Sequence, residues 1–150
     1  MEKKYTCQTT AHWTFDKRGM VEADSSIPQH INFAAPPEFG GEPGVWTPEH
    51  LLLAAVSTCY VATFRGMSAA SKLNFRGLEV AVEGTVEKQE GGLRFTRIVL
   101  HPTVTIDREE DRERAGRLLE KAERGCLIAR SILATFVLEP KILVVAEVAA

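Results

Sequence analysis

Thr47-Pro48-Glu49-His50-Leu51-Leu52-Leu53-Ala54-Ala55-Val56-Ser57-Thr58-Cys59-Tyr60-Val61-Ala62-Thr63-Phe64-Arg65 decides how the rest of the chain reads. Thr47 is placed to cap a helix, Pro48 suits the first helical position, and Glu49 complements the positive end of the helix dipole. The spacing predicts a helix to about Ser71. From Leu51 to Ala62 it is apolar on nearly all faces, so it is expected to be buried on every side. A chain of 150 residues is short for such a helix, and a partner subunit is expected to cover part of it. The apolar run Leu51–Phe64 is shorter than the roughly 20 residues that span a bilayer, so a core helix is expected and no membrane partner.

Strands flank this helix on both sides. Tyr5, Cys7, Ala11, Trp13 and Phe15 alternate with Lys4, Thr6, Gln8, Thr10, His12 and Thr14, which predicts a half-buried strand over 4–15. Asp16-Lys17-Arg18-Gly19 reads as a turn and Met20–Asp24 as the return strand. Residues 25–47, with Pro28, Pro36, Pro37, Pro43 and a glycine cluster, read as a long loop with a brief strand near His30–Phe33. Loops of this length are often functional.

After the helix, Leu78, Val80, Val82 and Val86 alternate with Glu79, Glu83, Thr85 and Glu87, and Gly91-Gly92 marks a hairpin turn. The next strand changes phase between Phe95 and Ile98, which predicts a bulge near Thr96-Arg97. Asp107 and Glu110 match a capping box. Ala115, Leu118, Leu119 and Ala122 follow at helical spacing, and Gly125 is expected as a left-handed cap. A short helix over 126–134 and a last strand through Phe136, Leu138, Ile142, Val144 and Val148, broken at Pro140, complete the chain. This order predicts a single α+β domain over 1–150, not a βαβ repeat.

Composition excludes several function classes. Eighteen basic and 20 acidic residues give a net charge of −2 with no long run of either sign, which argues against nucleic acid as a partner. Met1-Glu2-Lys3-Lys4-Tyr5-Thr6 has no apolar core of a secretory signal. Three cysteines without a C-x-x-C pair argue against a disulfide scaffold or a structural zinc. A cytoplasmic location is expected, with any cysteine chemistry redox or nucleophilic. His12, His30, His50 and His101 lack metal-ligand spacing, so no metal and no cofactor are expected.

Four residues are candidates for chemistry. Cys59 reads either as a small core residue or, given polar partners, as a reactive thiol; an unassisted buried thiol is inert. Cys126 reads either as a buried linker or as a thiol acidified at a helix N-terminus, with Arg124 and Arg130 nearby in sequence. Glu49 is a first-turn acid about 15 Å of helix away from Cys59, so a shared site needs a broken helix or a second subunit. Arg18 is a turn charge that matters if the turn folds over a cysteine. Cys7 is expected to be structural.

Gly44-Val45-Trp46-Thr47-Pro48-Glu49-His50-Leu51 with Cys59 ten residues after the glutamate resembles the osmotically inducible and organic hydroperoxide resistance proteins, the OsmC/Ohr family. Ala11-His12-Trp13, Lys17-Arg18-Gly19 and Lys121-Ala122-Glu123-Arg124-Gly125-Cys126 extend the resemblance over nearly the whole chain; Leu127 stands where family members usually have proline. The resemblance implies an intertwined homodimer with two central helices and sites at the subunit interface. It also implies a thiol-dependent peroxidase for organic hydroperoxides, with hydrogen peroxide as a second substrate. Cys59 would be the peroxidatic thiol and Cys126 its resolving partner, and an external thiol or lipoyl-type dithiol would reduce the disulfide. Arg18 would stabilise the thiolate and orient the peroxide, and Glu49 would hold that arginine. The alternative is a protein of the same fold that senses redox state or binds an apolar ligand without turnover.

Overall fold

The computed structural model describes residues 3–145. The chain divides between Leu52 and Leu53 into two compact units.

The first unit is a three-stranded antiparallel sheet of β1 (Thr10–Phe15), β2 (Arg18–Glu22) and β3 (His30–Ala34), in that order. Asp16 takes the left-handed conformation in the tight turn between β1 and β2, with φ 48°, as short-chain acids do. Arg18 is therefore the first residue of β2, not a turn residue. The register sets Trp13 opposite Gly19 and Gly19 opposite Phe33. A Cβ on Gly19 would sit 2.5 Å from the Phe33 ring, so the ring lies over bare backbone. The face expected to be buried is open in this chain: Trp13 is 76% and Phe15 62% exposed. Cys7 lies before β1 and is exposed, which removes the structural role expected of it. Beyond β3 a single 3-10 turn, Pro37–Phe39, leads toward the long helix.

That helix, α1 (Pro48–Ala70), runs through the division between the units. Its N-terminus is capped reciprocally. The backbone N–H of His50 donates to Thr47 Oγ1 at 3.2 Å, and the N–H of Thr47 donates to His50 Nδ1 at 3.2 Å. His50 thus fills the third position that Glu or Gln takes in a capping box.

The second unit is built on a hairpin of β4 (Phe75–Gln89) and β5 (Gly92–Ile106). Gly91 and Gly92, at φ 93° and 132°, turn the chain where a side chain would be strained. Thr85 pairs with Arg97 but Val86 with Phe95, so Thr96 is the extra residue of the expected bulge. Ile98, Leu100, Pro102, Val104 and Ile106 follow at a period of two, all buried. The chain then crosses over through α2 (Arg112–Gly125) and α3 (Leu127–Arg130). It returns as β6 (Thr135–Leu138) and β7 (Lys141–Val144), both parallel to β5. The break at Pro140 falls where expected; Val148 lies outside the described residues.

One face of α1 closes this core. Val56, Tyr60 and Phe64 are fully buried among Ile98, Leu100, Val104 and Leu119. Phe64 meets Phe75 edge-to-face at 5.3 Å, and the Tyr60 hydroxyl donates to the Leu119 carbonyl at 2.8 Å. The opposite stripe, Thr58, Val61, Ala62 and Arg65, is exposed. The helix is thus buried on one side within the chain, not on all sides. At 23 residues it exceeds the apolar run seen in the sequence, and by length and composition it is one helix long and apolar enough to cross a membrane.

The start of α2 also differs from expectation. Asp107 accepts from Arg76 Nε at 2.5 Å instead of forming a capping box. A 3-10 turn, Glu109–Asp111, precedes the helix. The buried Asp111 accepts from Arg114 at 2.6 Å and Arg108 at 3.3 Å. Arg114 also donates to the Ser71 carbonyl at 3.2 Å, fastening α2 to the end of α1.

Candidate functional site

Cys59 and Cys126 meet inside the second unit. Cys59 projects from the middle of α1, half-buried; Cys126 is fully buried at the junction of α2 and α3. The Cys126 thiol and the backbone N–H groups of Ile128 and Leu127 at the start of α3 lie near enough to Cys59 to stabilise its thiolate. The Thr63 hydroxyl, one turn along α1, lies 3.9 Å from Cys59 Sγ.

Burial alone pushes the Cys59 thiol up. The N–H of Ile128, the Cys126 thiol, the Thr63 hydroxyl and the N–H of Leu127 outweigh it, and Cys59 lies below the ordinary thiol value. Cys126 moves the other way. Burial pushes it up, the N–H of Ala129 pulls it down, and the neighbouring Cys59 keeps it protonated. The sequence had suggested Cys126 as the thiol acidified by a helix start. The N–H groups at the start of α3 lower both thiols, but only at Cys59 do they and the other donors outweigh burial. The resulting pair is one thiolate at lower pH and one proton-bearing neighbour, the arrangement a nucleophile and a second thiol need.

The glycine before Cys126 makes this proximity possible. Gly125 is the last residue of α2, and its φ is not positive, so the expected left-handed cap is absent. A Cβ there would sit 2.8 Å from Met67 Cε and 3.8 Å from Thr63 Cγ2. The residue is small because α2 ends hard against α1.

Arg18 and Glu49 lie in the first unit and are not paired with each other. Arg18 forks onto Glu42, with Nε to Oε2 at 2.6 Å and Nη2 to Oε1 at 2.5 Å. Glu49 Oε2 is buried with no hydrogen-bond partner. Phe15, Asp16, Lys17, Arg18, Gly41 and Glu42 line an open cleft of about 500 Å³. Thr63 and Glu42 were missed in the sequence, whereas Gly125 was singled out there as a cap and as part of the resemblance. The four-residue step from Cys59 to Thr63 was a usable signal; nothing in the pattern marked Glu42. Among the described residues no group of three or more His, Cys, Asp or Glu is placed to hold a metal.

Comparison with known proteins agrees with this architecture. Residues 41–141 match the family model described as OsmC-like protein. The chain is 31% identical over 128 residues to the uncharacterized protein YmaD of Bacillus subtilis, covering 81% of this chain and 83% of YmaD. Its fold is similar to that of an OsmC-like protein of unknown function from Vibrio cholerae, with a TM-score of 0.81, 19% identity, and 91% and 99% of the two chains covered. It is also similar to an organic hydroperoxide resistance protein of Legionella pneumophila, with a TM-score of 0.73, 24% identity, and 95% and 100% covered. With its α+β fold matched across these structures and its family model spanning 41–141, the chain belongs to the OsmC-like family, the OsmC/Ohr proteins.

Proposed function

We propose that the protein is a cysteine-based peroxidase that reduces organic hydroperoxides, and hydrogen peroxide as a second substrate. The observation that carries this reading is the Cys59–Cys126 pair, in which the more accessible thiol is the more acidic and its neighbour holds a proton. The name of the Legionella relative supports the same reading.

The chemistry is a two-electron reduction. The Cys59 thiolate attacks the distal peroxide oxygen and the O–O bond breaks. The alkoxide takes a proton from water and leaves as alcohol, and Cys59 becomes a sulfenic acid. The sulfur of Cys126 then attacks the sulfenic sulfur. Hydroxide departs with the thiol proton as water, leaving a disulfide. An external thiol or lipoyl-type dithiol supplies two electrons and two protons to restore both thiols.

In this reading Arg18 directs its remaining N–H donors to the peroxide and the thiolate, and Glu49, unpaired among the described residues, is a second acceptor for the arginine beside Glu42. The protein works as a homodimer in the cytoplasm, with the two units of residues 1–150 acting as one domain. The second copy covers the exposed stripe Thr58, Val61, Ala62 and Arg65.

Steady-state consumption of an organic hydroperoxide with a dithiol reductant tests the assignment. Cys59→Ser is expected to abolish turnover, and Cys126→Ser to permit one oxidation and then stall without a small thiol. Turnover retained in Cys59→Ser would overturn it.

A further inference from the structure

We propose that Glu42 is a positioning residue for Arg18, holding one edge of its guanidinium so that the other edge is presented to the peroxide. The proposal rests on the peroxidase reading above and adds a residue to it. The resemblance implies a single carboxylate, Glu49, as the holder of the arginine. The structure contains two carboxylates with different roles. Glu42 takes Nε and Nη2 in a two-point fork, while Glu49 Oε2 is buried and unpartnered. A fork on the Nε side fixes the plane of the guanidinium as well as its position, and leaves Nη1 at the far edge. A planar donor group that must meet one oxygen gains from such an orienting contact.

The loop that carries Glu42 is shaped for the purpose. Gly40 closes the Pro37–Phe39 turn in the left-handed conformation, φ 78°, and donates to the Pro37 carbonyl at 2.9 Å. Gly41 then folds against the preceding segment, its N–H donating to the Pro36 carbonyl at 3.1 Å. A Cβ on Gly41 would fall 1.7 Å from the Ala35 carbonyl oxygen, so only glycine fits. Two successive glycines, each required by the backbone, bring Glu42 back to the start of β2, where Arg18 sits. Lys17 adds a second positive charge toward Glu42. The sequence cluster Gly40-Gly41-Glu42, which has no phosphate-loop context, acquires a purpose as the device that sets this carboxylate.

The test is a cycle of Arg18→Ala, Glu42→Ala and the double variant, with two rates read on each reduced protein. One is single-turnover oxidation of Cys59 by cumene hydroperoxide. The other is alkylation of Cys59 by iodoacetamide, which reports the thiolate without requiring a positioned peroxide. Glu42→Ala is expected to slow oxidation about tenfold or more and alkylation by a clearly smaller factor, because the thiolate keeps its donors from α3, Cys126 and Thr63 while the peroxide loses its positioned one. In the Arg18→Ala background it is expected to add no further loss. Glu42→Gln, with the same shape and no charge, is expected to fall between the parent and Glu42→Ala. An oxidation rate in Glu42→Ala equal to or above the parent's would overturn the proposal, as would an equal further loss in the Arg18→Ala background. If the parent itself is not oxidised by the hydroperoxide, the peroxidase reading fails before any substitution is made, and this proposal falls with it.

Discussion

Replacing Gly125 by alanine is a sensitive probe of the close approach that joins the two thiols. The new Cβ would lie 2.8 Å from Met67 Cε, when carbon atoms at rest sit about 3.5–4.0 Å apart. Met67 must therefore retreat by about 0.7 Å or more. Overpacking of this kind costs about 1–3 kcal/mol. The low end applies here, because the obstructing atom is the tip of a flexible, half-buried methionine. Against it stands the helix preference of alanine over glycine, about 1 kcal/mol in a helix interior and less at a last residue. Gly125→Ala is thus expected to be neutral to slightly destabilising in the parent. In a Met67→Ala background the obstruction is gone, Thr63 Cγ2 at 3.8 Å is an ordinary contact, and the same substitution is expected to stabilise. The coupling between the two sites is about 1 kcal/mol, or about 2–4 °C in melting temperature for a chain of this size. Urea melts of the four proteins measure it. An effect of Gly125→Ala that is the same in both backgrounds would refute the close approach of α2 to α1.

Three further outcomes follow from the same geometry. Thr63→Val removes one donor to Cys59 and is expected to raise its thiol value; thiolate absorbance against pH reads this, and an unchanged midpoint would refute the contact. Tyr60→Phe removes the bond to the Leu119 carbonyl and is expected to cost about 1 kcal/mol in a urea melt, with no loss meaning that the bond contributes nothing. Arg18 holds the Glu42 carboxyl below its ordinary range, so the fork is complete above the unfolded glutamate value, about 4.3, and is lost as pH falls through the lower folded one. The difference in oxidation rate between parent and Glu42→Gln is therefore expected to persist at pH 5, and its absence there would contradict the fork.

Much of the architecture is written in local signals. Alternation in β4 and β5, the phase change at Thr96, Pro48 behind a capping Thr47, and the Gly91-Gly92 turn all follow from short-range physics. Long-range geometry was less visible. Gly125 reads as a helix cap because glycine serves that role most often, whereas here it serves packing against Met67. Cys126 stands next to a helix start in sequence, but the N–H groups of that start serve Cys59 as well, from an element far away in the chain. Asp107 has capping chemistry, yet Arg76 on another strand claims it. Glu42 lies in a proline- and glycine-rich loop whose path depends on two specific backbone contacts, so its approach to Arg18 has no periodic signature. The apolar face of β1 was read correctly as apolar, but its burial was not realised within this chain.

The central claim is that Cys59 and Cys126 form a redox pair driven by peroxide. Its most direct test is to mix the reduced protein with one equivalent of an organic hydroperoxide and follow free thiols and intact mass. The account predicts loss of two thiols and a mass decrease of two hydrogens, absent in Cys59→Ser and in Cys126→Ser. Thiols that survive an excess of both organic hydroperoxide and hydrogen peroxide would contradict it.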